Sequence, residues 1–282
     1  MPEAAIDQIR RRVLRYYDRT ESRLGYRFLL GGTKHFGWYE PGQSTWRFAA
    51  AMRRMERELV ERLALPAGAR VLDAGCGVGD VARTLAGSGL DLVGIDVLDF
   101  NLAQAQQRSA RAGLAARTRF LRADYHHLPV ATGAFDGAYT METLVHSAEP
   151  EVVIGELFRV LRPGGRLVMF EYSRTPAEQL SEQSNRALET VCELAAMPAW
   201  LKLPHGRLER LLANAGFSVE PATDVTGKML PMLHAFSVLG RLPYLVGRLT
   251  GRPAKVVNAL SGVELFRHQD AWRYHIYTAT RP

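Results

Sequence analysis

The chain has 282 residues, 47% of them hydrophobic and 23% charged, which excludes disordered and collagen-like proteins and leaves room for one large folded unit. No run of about 18 uninterrupted apolar residues occurs, so no membrane-spanning helix is expected, and the N-terminal MPEAAIDQIRRRVLRYY has no apolar core before a small-residue cleavage site, so no secretory signal is expected either. Two cysteines, Cys76 and Cys192, exclude a disulfide framework and a cysteine zinc site, and make a reducing cytosol the expected compartment.

The net charge of +7 comes with only four lysines among 36 basic residues, and the arginines are scattered beside acids. No run of five like charges is present, so nucleic acid is not an expected partner. An arginine-rich solvated surface is the plain reading, with an acidic substrate or an anionic membrane surface as alternatives.

In chain order, residues 4–30 carry Ile6, Ile9, Val13, Leu14, Tyr17, Leu24 and Phe28 at helical spacing. An aromatic loop follows from Gly31 to Gly42, and a second helical pattern runs from Trp46 to Leu65 before Pro66 and Gly68 turn the chain. Short apolar strands are expected at Arg70–Ala74, Leu92–Val97, Thr118–Arg122, Gly137–Met141 and Arg166–Tyr172, with helical patterns between most of them, the first at Val78–Leu85. This alternation indicates parallel β-α-β units in a doubly wound α/β sheet. Beyond it come helices at Ala177–Ala196 and Arg207–Ala215, a strand at Phe217–Thr223, an apolar insert from Met229 to Leu265, and a last strand at Tyr274–Thr280. The expected division is a helical cap with the aromatic loop over 1–64 and a ligand-binding core over 65–175. A cap helix with the return to the core follows over 176–228, a helical insert or lid over 229–265, and the last strand of the core over 266–282.

The run Val71-Leu72-Asp73-Ala74-Gly75-Cys76-Gly77-Val78-Gly79-Asp80 is a strand feeding a glycine turn and a helix, the arrangement that lets backbone approach a nucleotide closely. The dinucleotide pattern fails, because its last glycine is Asp80. Asp73 would also set a carboxylate near any pyrophosphate, whereas it suits the ammonium and sulfonium of S-adenosylmethionine. Asp96 closes the second strand, where an acid accepts from ribose hydroxyls. Asp124, followed by Tyr125, closes the third, where it can accept from an adenine amino group. Gly75, Cys76, Gly77 and Met141 complete the expected cofactor-binding set, Cys76 as a small packing residue.

With the glycine turn, Asp96 and the turn Leu161-Arg162-Pro163-Gly164-Gly165, residues 65–175 resemble the class I S-adenosylmethionine-dependent methyltransferases. Met141–Ala148, Glu156–Gly165 and Phe170-Glu171-Tyr172 resemble the sterol C-24 and terpenoid C-methyltransferases. The pair Tyr17-Asp18 and the loop His35–Tyr39 are similar to the tocopherol methyltransferases. The resemblance implies a Rossmann-like methyltransferase sheet with an antiparallel last strand and a helical cap, S-adenosylmethionine as donor, and a hydrophobic small-molecule substrate. Ser147-Ala148 and the insert after Met229 depart from the sterol enzymes, which leaves the substrate open.

Methylation of an alkene carbon leaves a carbocation that must be shielded and then lose a proton. Glu171, near the carboxyl end of an apolar strand, is the expected base, with His146 and Tyr17 as further catalytic candidates. His35, Phe36, Trp38, Tyr39 and Glu142 are expected to meet the substrate, the aromatic rings by cation–π attraction. His126-His127 has no ligand partners at zinc spacing, so no metal site is expected, and Mg²⁺ would enter only with a diphosphate substrate. The competing reading is an O- or N-methyltransferase of an aromatic or polyketide product. The insert reads as a packed lid or as a peripheral membrane contact. Nothing in the sequence sets the oligomeric state.

Overall fold

In the computed structural model, residues 11–14, 16 and 35–282 are described. The first regular element after the aromatic loop is helix α1 (Phe48–Leu63), whose stripe Met52, Met55, Leu59 and Leu63 is buried. Its chain leads into β1 (Arg70–Ala74), the glycine turn and α2 (Asp80–Gly87), then β2 (Asp91–Asp96), α3 (Asp99–Arg111) and β3 (Thr118–Arg122). After a long loop come β4 (Phe135–Met141), α4 (Pro150–Val160) and β5 (Leu161–Arg174). Proline opens α4 at a position that needs no backbone donor.

β1 pairs in parallel with β2 on one side and β4 on the other, so the chain reverses its direction of winding between β1 and β4. That reversal opens a crevice at the carboxyl ends of these strands, where open α/β sheets bind ligands. β5 starts five residues earlier than expected, because Leu161 already pairs with Phe135 across a register shift. The turn Leu161–Gly165 is thus drawn into the start of the strand.

Downstream lie α5 (Glu182–Leu194), capped by the Ser181 hydroxyl accepting from Ser184 N, and α6 (Arg207–Asn214). The strand expected over 217–223 is two short pieces, β6 (Ser218–Val219) and β7 (Thr223–Asp224). The apolar insert is a helical hairpin of α7 (Thr226–Leu249) and α8 (Val257–Arg267), and β8 (Trp272–Thr280) ends the sheet. β8 runs antiparallel to β5 over nine residue pairs, Arg166–Arg174 against Trp272–Thr280. The sheet order is β3-β2-β1-β4-β5-β8-β6, with β7 also on β8. At the carboxyl end of β5 and the amino end of β8, Tyr172 packs against Trp200 and Tyr274 at ring separations of 4.5 and 4.9 Å, forming a buried aromatic floor for the cap.

Candidate active site

The glycine turn owes its shape to left-handed backbone. Gly75 has φ 102°, and a Cβ there would meet the Thr143 side chain at 2.6 Å; Gly77 has φ 52°, and a Cβ there would enter open space in the crevice. The first glycine therefore allows close packing, and the second leaves room for a ligand. Asp96 holds the turn in place. Its carboxylate accepts from Gly77 N at 3.0 Å, Leu98 N at 2.8 Å and Asn101 Nδ2 at 3.2 Å.

Asp73 is 3% exposed, its Oδ2 has no well-formed hydrogen bond among the described residues, and the nearby Tyr139 hydroxyl partly offsets the effect of burial on its carboxyl. Burial pushes the Asp73 carboxyl up to about 7, and the Asp96 carboxylate adds to the rise. A buried carboxylate oxygen left without a well-formed hydrogen bond, beside a turn with room for a ligand, fits a cationic group. The ammonium and sulfonium of S-adenosylmethionine supply one. Asp73, Gly75, Gly77 and Asp96 would hold the donor, and Cys76, a buried thiol whose ionisation burial strongly opposes, lines the crevice beside them.

Asp124 carries a partner that sequence reasoning missed. Its Oδ1 accepts from His126 Nδ1 at 2.6 Å and from His126 N at 3.0 Å, while His126 Nε2 pairs with the Ser147 hydroxyl at 2.8 Å. Tyr125 donates to Thr143 O at 3.1 Å, fixing the third-strand loop against the end of β4. Asp124, Tyr125, His126, Met141 and Thr143 all line the crevice.

Past Met141 the chain bends sharply at Glu142, a non-glycine residue at φ 58°. The side chain compensates for this strained backbone. Glu142 accepts from Phe36 N at 2.7 Å, from the Tyr172 hydroxyl at 2.5 Å and from the Tyr274 hydroxyl at 2.9 Å. Burial raises its pKa above the ordinary carboxylate range, and these donors oppose the rise without cancelling it. Glu142 lines the cavity, as do His35 and His146. His146 Nδ1 lies 2.8 Å from Ala196 O. A carbonyl only accepts, so Nδ1 carries a proton, which makes Nε2 the nitrogen that exchanges a proton when the ring titrates.

His35 shows the opposite balance. Its Nδ1 faces Phe36 O at 2.9 Å and its Nε2 faces Glu56 Oε1 at 3.3 Å, both acceptors. Burial works against the charged ring, but the Glu56 carboxylate outweighs it and the His35 pKa is raised. Glu56 in turn accepts from the Thr84 hydroxyl. The signal for this pair was available: Glu56 falls on the apolar stripe of α1, where an acid has to find a buried partner.

The remaining expectations need correcting or lie out of reach. Phe36, Trp38 and Tyr39 were expected to wall the substrate, yet none of them lines the cavity. The loop is pinned between α1 and α7 by Trp38 N to Ala51 O and Tyr39 N to Lys228 O, both 2.9 Å, which turns the rings into the protein. Phe36 packs on Phe236 and Tyr274, Trp38 donates to Glu40 under the Lys228 ammonium, and the Tyr39 hydroxyl donates to Thr45 O. Glu171, expected as the base, is fully buried and outside the lining. Its Oε1 accepts from Thr140 Oγ1, Thr143 N and Leu144 N at 2.8, 3.2 and 2.9 Å, beneath the turn that carries Glu142. Burial pushes it up to about 7 despite these donors. Tyr17 lies outside the described residues.

One continuous crevice joins the glycine turn to His35, Glu142, His146 and Val13. The methyltransferase-domain family model matches residues 72–169. Over 278 residues the chain is 36% identical to an S-adenosyl-L-methionine-dependent Diels-Alderase of Talaromyces variabilis, covering 96% of this chain and 95% of that protein. It is 27% identical over 248 residues to a sterol 24-C-methyltransferase of Neurospora crassa, covering 84% of this chain and 64% of the other. The crystal structure of the (4+2)-cyclase SpnF is similar with a TM-score of 0.76 at 26% identity, covering 95% of each chain. The donor turn, the sheet order and a relative similar along nearly the whole chain agree: the protein belongs to the class I S-adenosylmethionine-dependent methyltransferase family.

Proposed function

We propose that the protein methylates an alkene carbon of a hydrophobic isoprenoid or prenylated natural product. The observation that carries this reading is the continuity of the crevice from Asp73 and the glycine turn to a recess where Glu142 and His146 stand among apolar walls. The bound donor supplies an electrophilic methyl group. The chain orients the two reactants, excludes water and collects the proton that the methylated cation must lose. Glu142 replaces Glu171 as the residue for that last task, because it lines the crevice and its raised pKa makes it a stronger base than an exposed carboxylate. The basic Nε2 of His146 is the second candidate, and would serve an O- or N-methyl acceptor equally well. Likeness to a sterol 24-C-methyltransferase supports carbon as the methylated atom.

A second reading has its own support. The 36% identical relative is named as a Diels-Alderase that depends on the same donor. On that reading the donor stays intact and completes the wall of a pocket that folds a polyene for cycloaddition. Incubation with methyl-labelled donor and a panel of sterols, prenyl diphosphates, prenylated aromatics and linear polyenes decides between them. A product heavier by one methylene, formed with S-adenosylhomocysteine, supports methyl transfer. An isomer of unchanged mass, formed with no donor consumed, overturns it in favour of cyclisation.

A further inference from the structure

Between Val225 and Val263 the sequence contains no acidic residue, while Lys228, Arg241, Arg248, Arg252 and Lys255 all fall within it. Lys228 is engaged by Glu40, and Arg248 lies over the Tyr244 ring at 5.7 Å and donates to its hydroxyl at 3.2 Å; Arg241, Arg252 and Lys255 are exposed along the outer half of the α7–α8 hairpin. On the same end of α7, Val238, Leu239, Leu242, Leu245, Val246 and Leu249 form an exposed apolar stripe, with Leu242 71% and Leu249 79% exposed. The opposite face is buried at Ser237, Gly240, Tyr244 and Gly247. At 100° per residue, Arg241 and Arg248 fall together along one edge of the stripe, between it and the buried face. An apolar stripe of this size, bordered by cations and devoid of acids, has the chemistry of an interfacial helix.

We propose that the outer face of α7 seats the protein on an anionic lipid surface, the leucines entering the boundary of the acyl chains and Arg241, Arg248, Arg252 and Lys255 meeting the headgroups. Among the described residues α7 is also the helix with the length and hydropathy to cross a bilayer, 24 residues at 1.2. Two features make it lie on the surface instead. It contains Pro231 and Pro243, and its other face is already committed to the protein. A second copy of the chain is a poorer occupant, because face-to-face pairing would bring like charges together. The proposal holds whichever reaction the crevice performs.

The test is flotation of the full chain with vesicles of phosphatidylcholine alone and of phosphatidylcholine mixed with phosphatidylglycerol. Binding should favour the mixed vesicles several-fold and weaken as salt is raised. Leu242→Ser with Leu249→Ser should lower partitioning about tenfold or more, since the apolar area that enters the lipid is lost. Arg241→Gln with Arg248→Gln and Arg252→Gln should abolish the preference for anionic lipid while leaving residual binding. All these side chains are exposed, so circular dichroism and donor affinity should not change in either variant. Absence of vesicle binding, or equal binding by the leucine variant, overturns the proposal. So does a concentration-dependent dimer in sedimentation that the leucine variant dissolves while vesicles capture nothing.

Discussion

The two ends of the crevice are built by different means. The donor end is made of strand termini adjacent in the sheet: Asp73 and Asp96 close parallel strands, the glycine turn and the Asp124–His126 pair follow them, and they lean on near neighbours. The acceptor end is assembled across the chain. Glu142 joins Phe36, 106 positions earlier, to Tyr274, 132 positions later. Backbone geometry shapes the first and buried side-chain polarity the second, so the two ends should fail differently when perturbed.

The sharpest separation is expected from Glu142→Gln. If Glu142 collects the proton, turnover should fall by about 10²–10⁴-fold, the usual contribution of a positioned acid or base. Donor affinity by calorimetry should stay near that of the parent. Near-normal product formation would remove Glu142 from the chemistry, and would agree with a cyclisation that has no proton to collect.

Glu171→Ala should act on the fold. It orphans the Thr140 hydroxyl and the amides of Thr143 and Leu144 at a fully buried site, a loss of roughly 3 kcal/mol or more in denaturant unfolding. Glu171→Gln keeps an acceptor and should cost less. The pH dependence carries its own signature. Because burial raises the Glu171 pKa to about 7, the folded state holds a proton that the unfolded chain has released by the ordinary carboxylate range. The stability this gives is full below that range and is lost as pH rises towards 7. Glu171→Gln should flatten that slope; an unaltered slope would assign it to Asp73 and Glu142, whose carboxyls burial also raises.

The smallest effect is a titration at the donor end. A cation binds the ionised form of Asp73, whose carboxyl burial holds at about 7. Affinity for S-adenosylmethionine should therefore rise with pH by up to about tenfold per unit below 7, then level off. In Asp73→Asn the profile should be weak and flat. A parent profile without slope would mean that Asp73 is not the group facing the donor's charge.

This division also decides what could be read from the sequence. The parallel sheet with its antiparallel last strand and the glycine turn were legible, because apolar alternation and a glycine-rich strand end are local signals that reach only to the next turn. The Asp124–His126–Ser147 chain escaped notice, since Ser147 reaches it from a different strand end. The aromatic loop misled for a physical reason. Rings flanked by glycine look available, but two backbone hydrogen bonds from Trp38 and Tyr39 turn them inward. Glu171 misled because position near a strand's carboxyl end does not say whether a side chain looks over the edge or under it. The bend at Glu142 puts the following turn above Glu171, and only the Glu142 backbone, left-handed without glycine, marks that bend.

That bend ties the two ends together. The peptide that Glu142 anchors continues directly into Thr143, which packs against Gly75 and donates to Ala74 O at 2.8 Å. A substrate that redirects the Glu142 carboxylate, by drawing it away from Phe36 N or the two tyrosines, loosens the clamp on a strained residue whose neighbour braces the donor turn. Thermodynamic reciprocity then requires the converse. Whatever the donor gains from a well-braced turn, it returns as a change in affinity for the second substrate.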